Sequence, residues 1–278
     1  MIRSLLYVPA HAERFVARAH EREADAIILD LEDAVPPGEK SNARAALATA
    51  VPAVSRNGAL VFARINAGDD ADAEAACRAG AFGLLVPKTR EAETLRKLAA
   101  LLDKLEREIG RQPMHLVPMI EDPGAVFDAR AIAAATPRVL AMMTGGEDMA
   151  TALGAEPTPE ALRFPKMMVH MAAKAVGVLS FGLIRTVADY RDTDAVTGAA
   201  REARGLGFDG ASCIHPSSVP ILNAAFAASA EDIDRATRMI AAAETAAVQG
   251  KGAFVFDGKM VDEPVVARAR ALLAKRRQ

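Results

Sequence analysis

DAIILDLEDAV, residues 25–35, sets four apolar residues between two aspartates and follows them with the acids Glu32 and Asp33. A strand with one wet face alternates apolar and polar side chains. A run that is apolar at every position reads as a strand covered on both faces, as in a parallel sheet flanked by helices. Seven further runs share this character: SLLYVP (4–9), LVFARI (60–65), FGLLVP (82–87), HLVPMI (115–120), RVLAMM (138–143), VLSFGLI (178–184) and DGASCI (209–214).

Between these runs lie segments of helical period. In REAETLRKLAALLDKLEREIG (90–110), Leu95, Leu98, Leu102 and Leu105 fall on one face. The order β then α, repeated eight times, allows the sheet to close, and the expected fold is α/β, a (β/α)8 TIM barrel. An open doubly wound sheet of the same element order is the alternative. No GxGxxG follows the first strand, which counts against its dinucleotide-binding form. The barrel is expected over residues 1–228, followed by a C-terminal helical extension over 229–278 that packs on its own or a neighbouring subunit. Helices are predicted there at 230–248 and 262–276. Their connector, GKGAFVFDGKMVDEP (250–264), reads either as a lid or intersubunit arm or as a surface linker.

Composition narrows the function. The 278 residues are 51% hydrophobic but 4% aromatic, so small aliphatic side chains must fill the core. A net charge of -2 without long single-sign blocks lacks the footprint of a nucleic-acid binder. The basic tail RARALLAKRRQ (268–278) reads as a solvated helix end. Cys77 and Cys213 form no metal-ligand spacing or disulfide framework, which fits a reducing cytoplasm. The apolar run in MIRSLLYVPAHAERF is too short for a signal peptide, and no segment reads as a membrane span.

A barrel builds its active site at the C-terminal ends of its strands. The polar residues there are Asp30, Glu32 and Asp33 after the second strand, Arg64 and Asn66 after the third, and Lys88 after the fourth. Glu121 and Asp122 follow the fifth, Glu147 and Asp148 the sixth, and His215 the eighth; His11 lies in the first strand-to-helix loop. Glu121 and Asp148, on successive strands, would suit a hard cation such as Mg2+, or each would cap the helix behind it. Arg64 either grips a substrate carboxylate or carbonyl, or makes a structural ion pair with Glu32 or Asp33. The acids of DLEDAV would orient Arg64 and Lys40, or receive hydrogen bonds beside the metal. His215, before a proline, reads as either a base or a hydrogen-bonded structural residue.

Taken together, SLLYVPAHAERF, DAIILDLEDAV, ARIN, VPK, PMIEDPGAV, GGEDMATALG, GFDGASCIHPSSV and FDGKMVDEPVVARA run nearly end to end in one order. In them the chain resembles the HpcH/HpaI aldolase and citrate lyase β-subunit family, in its acyl-CoA lyase branch. The resemblance implies a Mg2+-dependent barrel enzyme that cleaves or condenses a 3-hydroxyacyl thioester such as citryl-, malyl- or citramalyl-CoA. It places the Mg2+ ligands on Glu121 and Asp148, and a substrate-binding, carbonyl-polarising role on Arg64. It puts a catalytic acid on Asp262, contributed across the interface of a homotrimer or hexamer. Glu32 and Asp33 are then catalytic candidates, and Lys88 and His11 substrate-binding candidates. A carrier-protein-dependent lyase subunit, a malyl-CoA-type thioesterase or synthase, and a class II pyruvate aldolase are the alternatives.

The chain departs from the family pattern at three places. PAHAERF (9–15) is one residue short and introduces His11. LGAEPTPEALRFPKMM (153–168) is shortened, with Pro165 and Lys166 in place of small and Arg-containing residues. Thr144 stands where Phe is frequent.

Overall fold

The computed structural model describes residues 1–186 and 190–275. The last three residues of the basic tail, the first of which also ends the helix expected at 262–276, lie outside the described residues. The chain divides into two compact units, Ile2–Phe226 and Ala227–Gln278 with Met1.

The first unit begins with β1 (Ser4–Pro9), α1 (Glu13–Ala19), β2 (Ala26–Asp30), α2 (Lys40–Val54), β3 (Leu60–Arg64), α3 (Asp70–Ala79), β4 (Gly83–Val86) and α4 (Ala92–Ile109). It continues through β5 (His115–Ile120), α5 (Pro123–Phe127), α6 (Ala129–Ala133), β6 (Ala141–Thr144), α7 (Gly146–Leu153) and α8 (Pro159–Val176). It ends with β7 (Leu179–Phe181), α9 (Thr193–Leu206), β8 (Ala211–Cys213) and α10 (Ser218–Phe226). The strands pair in parallel in the order β7-β6-β5-β4-β3-β2-β1-β8. A Phe181–Gly210 bridge and a 2.9 Å bond from the Gly182 N–H to the Gly210 carbonyl bring the two edges together. The sheet thus curls into the expected (β/α)8 barrel, and the open-sheet alternative falls.

Because side chains alternate along a strand, each strand serves two cores. Leu6 and Val8, Ile27 and Leu29, Val61 and Ala63, and Leu84 and Val86 pack in the shell between sheet and helices. Leu5, Ile28, Phe62, Leu85, Val117, Met143 and Phe181 fill the barrel interior. The predicted leucine stripe of α4 is buried at Leu95, Leu98, Leu102 and Leu105. One strand is shifted: RVLAMM was expected to begin β6 at 138, but the regular strand begins at Ala141. Arg138 is instead buried against Glu106, and donates 2.9 Å bonds to Glu106 Oε1 and the Met114 carbonyl. Val139 makes only an isolated bridge to Leu116.

The second unit contains α11 (Ala230–Val248), β9 (Phe254–Phe256), β10 (Lys259–Val261) and α12 (Glu263–Lys275). Ser229 and Asp232 form a capping box at the start of α11. Ala236, Met239, Val261, Val266 and Ala269 make a core of its own. The segment read as a linker or lid is an antiparallel hairpin, with Phe256 opposite Lys259. Its two turn residues, Asp257 and Gly258, both have positive φ (47° and 73°), the conformation that an Asp-Gly pair supports in a tight hairpin. No described helix is long and apolar enough to cross a membrane.

Candidate active site

The alternation that sorts the cores also selects the residues at the barrel mouth. Continuing the inward positions of β1, β2, β3 and β5 past their apolar part reaches Tyr7, Asp30, Arg64 and Glu121. These four line a cavity of about 410 Å3 together with Asp33, Thr144, Glu147, Asp148, Lys166, Arg185 and Thr186. No His or Cys is among its lining residues.

Arg64 is the organising cation. It donates from Nε and Nη2 to the two oxygens of Asp30, at 2.7 and 2.6 Å, in a two-pronged geometry. Its Nη1 lies 3.1 Å from Glu32 and 3.2 Å from Asp33. Its guanidinium carbon sits 5.0 Å from the centre of the Tyr7 ring. Burial works against the charge, but the bond to Asp30 and the surrounding acidic groups together outweigh it, so the Arg64 guanidinium is held above its ordinary range. Asp30 also accepts the N–H groups of Glu32 and Ala34, at 2.9 and 3.3 Å. It therefore shapes the acidic loop as well as holding Arg64. The sequence reading left Arg64's partner as Glu32 or Asp33; the principal partner is Asp30. Inward parity from Ile28 was the signal for it.

Glu121 is buried, and its Oε2 accepts the Lys88 N–H at 2.7 Å. Lys88 makes that contact from a left-handed backbone, φ 50°, which is uncommon for a residue with a side chain. Its Nζ lies 3.0 Å from Glu32. A Cβ on Gly145 would come within 2.5 Å of Glu121 Oε1, so only glycine lets α7 start this close to the carboxylate. Burial pushes Glu121 up to about 7, and the charges of Asp148 and Glu32 push the same way, against the Lys88 N–H. Asp148 enters from the exposed first turn of α7. Among the described residues, no three of His, Cys, Asp or Glu gather into a metal-sized cluster. The arrangement thus offers two carboxylates to a cation that completes its shell with other oxygens.

Of the residues singled out from sequence, Asp30, Asp33, Arg64, Glu121, Glu147 and Asp148 line the cavity, while Glu32 and Lys88, paired with each other, are not among its lining residues. His11, in the β1–α1 turn, is not among the lining residues. Asp262 lies in the second unit, where its carbonyl accepts the Val265 and Val266 N–H groups at the start of α12. Asp122 is a cap, accepting from Gly124 and Ala125. Lys40 donates to the Leu31 and Glu32 carbonyls and orients no acid side chain. His215 is exposed, stacked on Tyr190 at 4.5 Å and bonded to Ser217, outside the cavity lining.

Tyr7 went unread, and Lys166 was noted only as a departure from the family pattern, in a stretch that the structure makes largely part of α8. Tyr7 carries the inward parity of Leu5, and burial holds its phenol above the ordinary range. Lys166 shares the buried face of α8 with Leu162, Val169 and Ala173. A lysine at an apolar position of an otherwise regular stripe was the signal. Its Nζ donates to the Leu183 and Arg185 carbonyls at 2.9 and 3.0 Å. Burial lowers its pKa to about 8, with Glu147 acting the other way.

Residues 3–216 match the family model described as HpcH/HpaI aldolase/citrate lyase. The chain is 36% identical over 279 residues to a (3S)-malyl-CoA thioesterase of Cereibacter sphaeroides, covering 98% of this chain and 94% of that one. It is 34% identical to the citrate lyase β subunit of Escherichia coli, over 98% of this chain and 92% of that one. Among solved structures, CitE of Mycobacterium tuberculosis in complex with magnesium, acetoacetate and coenzyme A superposes with a TM-score of 0.79 at 30% identity, covering 99% of this chain and 98% of that one. The chain is a member of the HpcH/HpaI aldolase/citrate lyase family.

Proposed function

We propose that the cavity is the active site of a Mg2+-dependent carbon-carbon lyase that cleaves a 3-hydroxyacyl-CoA of the malyl, citramalyl or citryl type into an acyl-CoA and a keto acid. The observation that carries this reading is the convergence of buried Glu121, Asp148 and the fixed Arg64 guanidinium on one cavity. The magnesium and coenzyme A held by the M. tuberculosis relative support it.

The donor set suits the ion. Glu121 and Asp148 are hard oxygen donors, and a cation held by them would offset the burial and neighbouring negative charge that push Glu121 up. They would hold Mg2+, which when bound supplies positive charge to the oxygens of the departing keto acid. Cleavage requires the 3-hydroxyl to lose its proton, the bond between C2 and C3 to break, and the thioester enolate to gain a proton at C2. Arg64, locked by Asp30, presents a fixed positive charge to the substrate carboxylate on C3 and to the C3 oxygen as it becomes the keto carbonyl. Lys88 and Glu32 hold Glu121 and Arg64 in place. Asp262 is the proposed acid that exchanges the proton at C2, contributed between subunits of a homotrimer or hexamer.

A second reading, hydrolysis of the thioester to the free 3-hydroxy acid and CoA with no carbon-carbon bond broken, is favoured by the identity to the malyl-CoA thioesterase. One assay separates the two. The purified protein is incubated with Mg2+ and each of (S)- and (R)-malyl-CoA, citramalyl-CoA and citryl-CoA, while keto acid, acyl-CoA and free CoA are followed separately. The lyase gives keto acid and acyl-CoA in equal amounts, and EDTA abolishes both. Free CoA released without keto acid assigns the thioesterase. No turnover of any of these, with turnover of a carrier-protein thioester or a free hydroxy-keto acid, overturns the reading.

A further inference from the structure

Lys166 is a charge whose structural contacts do not require charge. Its residue is 6% exposed, in the middle of α8, and its ammonium meets two neutral carbonyls, those of Leu183 and Arg185. Among the described residues no carboxylate lies within 4.0 Å of it; the acid acting on it electrostatically is Glu147, exposed at the start of α7. Taking an ammonium out of water without an ion partner is costly, and two neutral acceptors offset that cost only in part. A neutral amide would tether the same two carbonyls without that cost.

The ammonium has three N–H donors, of which the carbonyls take two. Lys166 also lines the cavity, and a Cβ on Gly146 would stand 3.2 Å from its Nζ. On the adjacent Gly145 a Cβ would stand 2.5 Å from Glu121 Oε1. The lysine and the carboxylate thus flank two consecutive glycines at the start of α7, on the wall of the same cavity. Arg64, a second cation of this wall, is engaged by Asp30, Glu32 and Asp33.

We propose that Lys166 is a specificity-determining residue, whose third N–H takes a second carboxylate on the keto-acid half of the substrate and so selects dicarboxylate over monocarboxylate keto acids. This rests on the functional reading above and narrows it to acyl groups whose cleavage releases a keto acid with two carboxylates. The second carboxylate gives the buried ammonium the counter-charge that its protein partners do not.

The test is calorimetric titration of the Mg2+-loaded protein with fresh oxaloacetate and with pyruvate, which differ by one carboxylate. Wild type is expected to bind oxaloacetate about ten- to a hundredfold more tightly, the range of one charge-assisted hydrogen bond. In Lys166→Met the preference disappears while the affinity for pyruvate stays within about twofold, and in Lys166→Arg most of the preference remains. Should the methionine variant fail to fold, Lys166→Gln, which keeps a donor for the carbonyls and removes the charge, carries the same comparison. A variant lacking the charge that retains the preference, or that loses both affinities equally, overturns the assignment and leaves Lys166 a loop tether. Wild type binding both acids without preference also overturns it. Wild type binding neither acid overturns the functional reading itself, and this inference with it.

Discussion

Arg64 and Asp30 form one unit rather than two independent side chains, because both guanidinium prongs meet both carboxylate oxygens. Lysine at 64 supplies a charge but no fork, so Arg64→Lys is expected to lose about a hundredfold or more in turnover while remaining folded. Asp30→Asn is expected to impair turnover as well, since it removes the charge that fixes Arg64 and one acceptor of the acidic loop. Rates near wild type in Asp30→Asn would show that Arg64 is positioned by Glu32 and Asp33 instead. Steady-state rates, with circular dichroism to confirm folding, decide both. The Glu121 contact with Gly145 gives a further check. Gly145→Ala places a methyl group against the carboxylate and is expected to lower activity as severely as loss of Glu121 itself. An active alanine variant would mean that the start of α7 shifts freely.

Among the elements, those with long apolar runs were legible from residue pattern alone. β1, β2, β3 and β5 stand where their runs were read, and α4 buries the leucines its period selects. Leu102 is fully buried, so Leu102→Ala is expected to cost about 2–5 kcal/mol in denaturant unfolding, and a loss under 1 kcal/mol would indicate a face that can collapse. β6 was misjudged because Arg138, followed by apolar residues, looks like a strand start. Its side chain is held by Glu106 on α4, a partner with no mark in local sequence. The β9–β10 hairpin was missed although Asp257-Gly258 is a strong turn signal, because its flanking strands are three residues each. The cavity's acids and Arg64 were legible because strand ends were. Lys166 showed only as a departure from the family pattern, since a lysine on the apolar face of a helix gives no sign in sequence of which loop its ammonium meets.

Across the barrel, acid sensitivity follows from its buried histidines. His170 is stacked on Phe208 with ring centres 4.4 Å apart, and burial, with nearby Lys174, lowers its pKa from 6.5 against the opposing pull of Asp209. His115 is lowered too, by burial and Arg138. A histidine that takes up a proton less readily folded than unfolded contributes stability above its unfolded pKa, and that contribution is lost as pH falls through the lowered value. Urea unfolding is therefore expected to show declining stability as pH drops below about 6.5. His170→Gln should give a shallower decline, and an unchanged slope would assign the effect elsewhere.

The whole account turns on Glu121 and Asp148 acting together on one divalent cation at the barrel mouth. The measurement that bears on it hardest is the rate of 3-hydroxyacyl-CoA cleavage as Mg2+ is titrated into metal-stripped wild type, Glu121→Ala and Asp148→Ala, alongside calorimetric Mg2+ binding. Wild type should turn over only with Mg2+, and both variants should fold normally, bind Mg2+ far more weakly and show no turnover at concentrations that saturate wild type. Cleavage by metal-stripped wild type, or wild-type Mg2+ response in either variant, would contradict it.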